Sequence, residues 1–83
     1  MAERSLLLEI LTPEKSLYKG RVVLVRLPGT LGPFEILYNH APLVSTLQEG
    51  NIKIIDLERN RLDIPIKGGV IEVKNNHIVI LTS

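Results

Sequence analysis

Few residues in this sequence could carry chemistry, and the two histidines are the first to consider. His40 and His77 lie far apart in the chain, which has no cysteine. A zinc site needs three or four convergent ligands, and neither histidine has a suitably spaced partner. We therefore expect no metal site. His77 follows a turn and is expected to be solvated at the start of a strand. His40 is expected to have a structural or interface role.

Other residues that could form a catalytic or phosphate site also lack the required context. No serine stands in a nucleophile elbow, and the carboxylates are scattered over outward positions. Gly29-Thr30-Leu31-Gly32 superficially resembles a phosphate-binding loop. No helix follows it and no lysine adjoins it, so a turn between two strands explains it better. The sequence predicts no catalytic residues, no cofactor and no enzyme activity of its own.

Composition and charge exclude further classes. The 83 residues are expected to form one domain, 1–83, and 10 basic residues against 9 acidic ones leave no electrostatic footprint for nucleic acid. The longest apolar runs have four residues, as in Ile78–Leu81, far fewer than the roughly 20 that a spanning helix needs. The start, Met1–Leu8, lacks the features of a signal peptide, so a cytoplasmic location is the default expectation.

The elements that position these residues are predicted to be β-strands. Leu and β-branched residues dominate, with 14 Leu, 10 Ile and 7 Val against 2 Ala, and turn residues recur every eight to twelve positions. The expected strands span Leu6–Leu11, Val22–Leu27, Phe34–Tyr38, Leu43–Gln48, Ile52–Glu58, Arg61–Ile66, Val70–Lys74 and His77–Leu81. Leu43–Gln48 is the ambiguous one. No helical stripe is present, so the fold class is all-β.

The second half of the chain gives the clearest patterns. Tight hairpin turns are predicted at Arg59-Asn60 and Asn75-Asn76, and Pro65 predicts an edge strand because proline donates no hydrogen bond to a neighbour. Apolar residues break phase within Ile52–Leu57, which indicates either a bulge or coverage of both faces. The expected core comprises Leu8, Ile10, Val23, Val25, Ile36, Ile54, Leu62, Ile64, Ile71, Val73, Ile78 and Ile80.

Residues 28–42 are unusually rich in residues that fix backbone shape. Three prolines and two glycines occur there beside four large apolar or aromatic residues expected to be exposed, namely Leu31, Phe34, Leu37 and Tyr38. This segment is either a well-packed sandwich edge or a preorganised protein-binding surface, and its composition favours the second.

The ordered set of motifs resembles one known family. Leu27-Pro28-Gly29, Gly32, Ile36-Leu37 and Asn39-His40-Ala41-Pro42-Leu43, with Leu47 and Gly50 beyond, resemble the epsilon subunit of the F-type ATP synthase. The opening Leu8–Glu14 and the closing Gly68–Val73 and Ile78–Leu81 fit the same family. The resemblance covers residues 6–82.

The resemblance implies a β-sandwich of two roughly five-stranded sheets and a role without chemistry. It implies a subunit of the central stalk, which binds the gamma subunit and the ring of c subunits and rotates with them. Such a subunit helps couple proton or sodium flow to ATP synthesis in the catalytic alpha/beta head. The implied location is peripheral, at the cytoplasmic face of the bacterial inner membrane, with membrane contact only through the ring.

The resemblance also implies which loops face the c ring. These are Thr30, Leu31, Gly32 and Pro33, with His40, Ala41 and Pro42 in the adjoining turn. The residues that bind gamma are not assigned. Pro33, Glu35 and Tyr38 depart from the usual pattern, and we hypothesise that Glu35 takes over a polar contact with the ring. Unchanged ring binding by Glu35→Ala, with weaker binding after substitution of Thr30 or His40, would refute this.

The family's C-terminal helical hairpin has no counterpart in this sequence. Either the chain is a natural short form or it has been trimmed, and the initial Met1 favours the first. We expect neither inhibition by helix insertion nor ATP binding. Three alternatives stay open, of which the first is the strongest: a non-catalytic β-sandwich adaptor that binds a protein partner, a lipoyl-type carrier modified at Lys74 and an enzyme. Intact-mass measurement tests the second.

Overall fold

The computed structural model describes residues 4–83 and is built from eight β-strands. The predicted features of residues 1–3 lie outside the described part. The strands are β1 (Leu6–Leu11), β2 (Ser16–Leu27), β3 (Phe34–Ile36), β4 (Leu43–Leu47), β5 (Gly50–Asp56), β6 (Arg61–Ile66), β7 (Gly69–Lys74) and β8 (His77–Thr82). The all-β prediction is confirmed, and the ambiguous fourth segment is a strand.

One long strand joins the two layers of the fold. The hydrogen-bonded order is β4-β7-β8-β1-β2-β5-β6, with β3 also paired to β2. The first half of β2 pairs with β1, whereas its second half pairs with β3 and β5. Because both layers share β2, eight strands build layers of five and four, close to the expected two sheets of five. The sheet curls so that buried residues of all eight strands form one core.

A bulge in β2 explains why one predicted core residue is not buried. The register with β5 shifts between Val22 and Leu24, so Val23 is the extra residue. Both Val22 and Val25 are buried as a result, whereas strict alternation would have buried Val23, which is only half-buried. The sequence indicated a bulge or two covered faces within Ile52–Leu57. The bulge lies in β2, opposite Ile55 and Asp56, whereas the pairing of β5 with β6 is regular.

The edge strand β6 departs from the core prediction in a second way. Leu62 is 40% exposed and Ile64 is half-buried, although both lie in the inward phase with the buried Ile66. The core also contains residues that the prediction omitted, namely Leu6, Val22, Leu27, Leu47, Ile52 and Ile66. A strand at the edge of a layer covers its inward residues incompletely, because it has a neighbour on one side only.

Pro65 lies on the free edge, as predicted. Asp56 N–H donates to Asn60 C=O, and the regular register from this pair turns the backbones of Leu62, Ile64 and Ile66 toward β5. The backbone of Pro65 therefore points away from β5, where a missing N–H breaks no ladder bond.

Local turn chemistry decides several strand ends. Asn75 and Asn76 both have positive φ (53° and 61°), which confirms the predicted tight hairpin. The predicted Arg59-Asn60 turn is wider, because one carboxylate oxygen of Asp56 accepts hydrogen bonds from the N–H groups of Glu58 and Asn60 and ends β5 there. Several predicted boundaries were wrong: β2 begins at Ser16 rather than Val22, β3 ends at Ile36 rather than Tyr38, and β5 spans Gly50–Asp56 rather than Ile52–Glu58. The remaining boundaries agree within one residue.

Candidate functional site

The Thr30–Pro33 segment forms a rigid turn at the end of β2. Gly32 N–H donates to Gly29 C=O at 3.0 Å. Gly32 has a φ of 128°, a backbone conformation that residues other than glycine adopt only at an energetic cost. Thr30 is fixed to β4 through its hydroxyl, 2.8 Å from that of Thr46, and through its N–H, 3.2 Å from Thr46 C=O. Leu31 is left fully exposed at the tip. The turn thus presents an apolar side chain on a fixed backbone.

The second predicted segment, His40–Pro42, lies in a longer loop, residues 37–42, which immediately precedes β4. His40 N–H donates to Leu37 C=O at 3.0 Å, and the His40 ring Nδ1 donates to Ala41 C=O at 2.8 Å. His40, Ala41 and Pro42 are exposed. Pro42 and Thr46 are four residues apart along an extended strand, so the two predicted loops are separated by roughly 13 Å. They flank one strand but do not form one compact site.

Glu35 lies on β3, outside both loops. Its carboxylate is 3.4 Å from the Arg26 guanidinium on the neighbouring strand, and both side chains are about half exposed. A contact of this kind contributes at most about 1 kcal/mol. Of the four residues expected to be exposed, Leu31, Leu37 and Tyr38 are exposed, but Phe34 is half-buried against the core.

His77 is not simply solvated, which corrects one expectation. Its Nε2 lies 2.6 Å from a carboxylate oxygen of Glu9 on the parallel neighbour β1. The Glu9 side chain is 22% exposed and that of His77 is 44% exposed. The partner was missed because residues 68 positions apart are brought together only by the parallel pairing of the first and last strands.

An apolar surface on the five-stranded layer was also missed. We define the outer patch as Val44, Val70 and Leu81, which are 70%, 43% and 56% exposed, together with the half-buried Leu11 and Val79. Val70, Leu81 and Leu11 pair in one row across three strands. A signal for it was present, since the unbroken apolar run Ile78–Leu81 predicts apolar side chains on both faces of β8.

The described residues hold no cluster suited to a metal. Across residues 4–83, no group of three or more His, Cys, Asp or Glu side chains is placed to hold an ion. Nor does this part of the chain contain a helix long and apolar enough to cross a membrane.

Tyr18 gives the fold a testable dependence on alkaline pH. Burial raises the pKa of its phenol above the ordinary value, and the nearby negative charge of Asp56 raises it further. As pH rises past the ordinary tyrosine pKa of about 10, the unfolded chain loses this proton before the folded chain does. The free energy of unfolding should therefore fall between that pH and the raised pKa, and Tyr18→Phe should remove this part of the fall. Urea unfolding at pH 8 and pH 11 tests it, and parallel losses in both proteins would contradict it.

Comparison with known proteins agrees with this fold. The model of the ATP synthase Delta/Epsilon chain beta-sandwich domain matches residues 5–83. A protein of Leptospira interrogans called ATP synthase epsilon chain is 44% identical over 82 residues, and the match covers 99% of this chain but 64% of that relative. An ATP synthase epsilon chain of Chlorobium limicola is 33% identical over 81 residues, covering 98% of this chain and 92% of the relative.

Solved structures show the same fold at low identity. A chain in the mitochondrial ATP synthase of Euglena gracilis superposes with a TM-score of 0.90 at 17% identity, covering 96% of this chain and 51% of that one. A chain in the central stalk and c ring of the Tetrahymena thermophila enzyme gives 0.76 at 17% identity, covering 99% and 66%. The chain described here therefore belongs to the family of ATP synthase delta/epsilon chain β-sandwich domains, as its motifs indicated.

Proposed function

We propose that this chain is an epsilon-type subunit of the central stalk of an F-type, proton-translocating ATP synthase. In this role it binds the gamma subunit and the c ring and helps couple rotation to ATP synthesis in the alpha/beta head. The epsilon chain of ATP synthase is a non-catalytic subunit. The proposed location is peripheral, at the cytoplasmic face of a bacterial inner membrane, with residues 1–83 acting as one domain.

The outer patch carries the proposal of a gamma interface. Its three exposed members are aliphatic and lie on three adjacent strands of the five-stranded layer. Val70, Leu81 and Leu11 form an apolar row across three strands, whereas Glu72 lies between Val44 and Val79 on the same face. An apolar row with polar neighbours is typical of the centre of a protein–protein interface. A part that transmits torque also needs a preorganised contact, and hydrogen-bonded strands supply a rigid backbone for it.

The two loops are proposed to contact the c ring. The Thr30–Pro33 turn offers Leu31 as an anchor on a backbone fixed to β4, and the His40–Pro42 loop offers a second contact roughly 13 Å away. A ring repeats the same surface in every copy, so two separated contacts can engage neighbouring copies. Glu35 can also make the polar contact proposed for it, because its carboxylate is about half exposed and Arg26 contacts only one of its two oxygens.

Binding to the cognate gamma subunit tests the proposal. We expect a one-to-one complex of micromolar affinity or tighter by co-elution and calorimetry. Leu81→Asp should weaken it at least about tenfold, because a charge would be buried in an apolar interface. Leu31→Asp is the matched control. Its side chain is also exposed and aliphatic but lies in the ring-facing turn, so gamma binding should persist.

Each outcome separates one part of the proposal from another. If folded gamma forms no complex with the unsubstituted chain, the stalk role is contradicted and a β-sandwich adaptor with a different partner takes its place. If the complex forms and Leu81→Asp binds as well as the unsubstituted chain, gamma uses a surface other than the outer patch.

A further inference from the structure

The 37–42 loop is tied to the tip of the β7–β8 hairpin by a reciprocal pair of asparagines. Asn39 N–H donates to the Asn76 side-chain oxygen at 2.6 Å, and the Asn76 amide group donates back to the Asn39 side-chain oxygen at 3.0 Å. The two residues are 37 positions apart in the chain, so the contact is purely tertiary. It joins a loop proposed to meet a partner to a hairpin that no motif assigned to any site.

The backbone around this pair is shaped to hold it. Asn39, Asn75 and Asn76 all have positive φ, at 64°, 53° and 61°. This conformation is uncommon for residues other than glycine, and asparagine tolerates it better than most. At the tip, Asn76 C=O also accepts a hydrogen bond from Leu7 N–H at 2.9 Å, which fixes the hairpin to β1. The Asn76 side chain therefore projects from a hairpin tip whose backbone is hydrogen-bonded to β1.

The loop has few other anchors. Its remaining hydrogen bonds, from His40 N–H to Leu37 C=O and from the His40 ring to Ala41 C=O, are local and do not connect it to the rest of the fold. Residues 37–42 are all exposed. Among the described residues, the hydrogen bonds that join this loop to another part of the chain are the two made by Asn76.

We propose that Asn76 is the positioning residue of the His40–Pro42 loop, locking it in the conformation that docks onto the partner. The inference rests on the proposed function for the docking role of this loop and for its partner, the c ring. We call the two Asn39–Asn76 hydrogen bonds the loop lock. Without them, the docking conformation becomes one of several, and the apparent affinity for the partner falls in proportion to the fraction of molecules whose loop is in that conformation.

Replacing Asn76 with glycine isolates the side chain. Glycine adopts a φ of 61° without strain, so the hairpin keeps its shape while both hydrogen bonds to Asn39 are lost. Asn75→Gly is the matched control. Asn75 lies in the same turn and also has a positive φ, but its side chain makes no hydrogen bond within residues 4–83. Both variants add the same glycine flexibility to the unfolded chain.

Amide hydrogen exchange at Asn39 measures the loop lock directly, because the Asn39 N–H is one of its two donors. By NMR, the Asn39 amide should exchange at least about tenfold faster in Asn76→Gly than in Asn75→Gly, while the Ile78 and Ile80 amides keep their protection. Binding to the purified c ring in detergent should weaken by about three- to tenfold in Asn76→Gly only. Asn39→Asp retains an acceptor for the Asn76 amide group and should behave nearly as the unsubstituted chain.

The results distinguish the lock from the function on which it rests. Unchanged exchange at Asn39 in Asn76→Gly would overturn the lock. Faster exchange at Asn39 with unchanged affinity for the ring would overturn the positioning role, because the loop would then bind the ring equally well without the hydrogen bonds to Asn76. Failure of the unsubstituted chain to bind the ring would contradict the proposed partner, whereas the exchange measurement would still confirm or overturn the lock.

Discussion

Ile71→Ala should destabilise the domain by about 2–5 kcal/mol, the usual cost of deleting a buried isoleucine side chain beyond Cβ. Ile71 is fully buried in β7 and pairs with Ile80 on β8. A chain of 83 residues has a stability of roughly 4–12 kcal/mol. This one substitution should therefore remove a large part of the free energy of unfolding, and it could unfold the domain outright.

The neighbouring residue supplies the control for this prediction. Val70 lies next to Ile71 on the same strand but faces outward and is 43% exposed. Val70→Ala should cost less than about 1 kcal/mol, which reflects strand preference and little lost packing. Urea unfolding followed by circular dichroism measures both variants. Similar losses in the two would mean that the inward and outward faces of β7 are wrongly assigned.

Gly69→Ala should be the second most damaging change. A Cβ on Gly69 would clash with the backbone carbonyl oxygen of Leu81, and it would lie 3.3 Å from Thr82 Cα. Both neighbours are backbone atoms of β8, so neither can rotate away as a side chain could. The strands β7 and β8 would have to separate where Thr82 also donates to Gly68 C=O. We expect a loss of roughly 1–3 kcal/mol from overpacking, with about 1 kcal/mol more for each ladder bond broken.

Gly20→Ala distinguishes this clash from a general effect of adding a methyl group. A Cβ at Gly20 would meet only the Tyr18 side chain, with the phenol oxygen 3.2 Å away. That ring can shift, and alanine loses less entropy in a strand than glycine does. The midpoint of urea unfolding should therefore move by an amount equivalent to about 1 kcal/mol or less. Equal destabilisation by the two variants would contradict the close approach of β7 and β8.

Local features of the sequence were sufficient to predict much of the fold. The Asn75-Asn76 turn depends on a backbone preference that the two residues carry themselves, so it was predictable without tertiary information. Pro65 marked an edge strand for an equally local reason, since a missing N–H excludes it from a ladder position. Alternation along β7 identified Ile71 and Val73 as buried because neighbouring side chains of a strand point to opposite faces.

Tertiary structure alone decided the features that depend on which strands meet. The bulge at Val23 shifted the buried face of β2, and the edge position of β6 left Leu62 exposed. Glu9 met His77, and Asn39 met Asn76, across 68 and 37 residues of chain. Motifs named the candidate loops, but only the tertiary structure joined Thr30 to Thr46 on β4 and Asn39 to the β7–β8 hairpin. Periodicity reports only the face of each strand, whereas contacts between distant residues require the pairing order of the whole sheet.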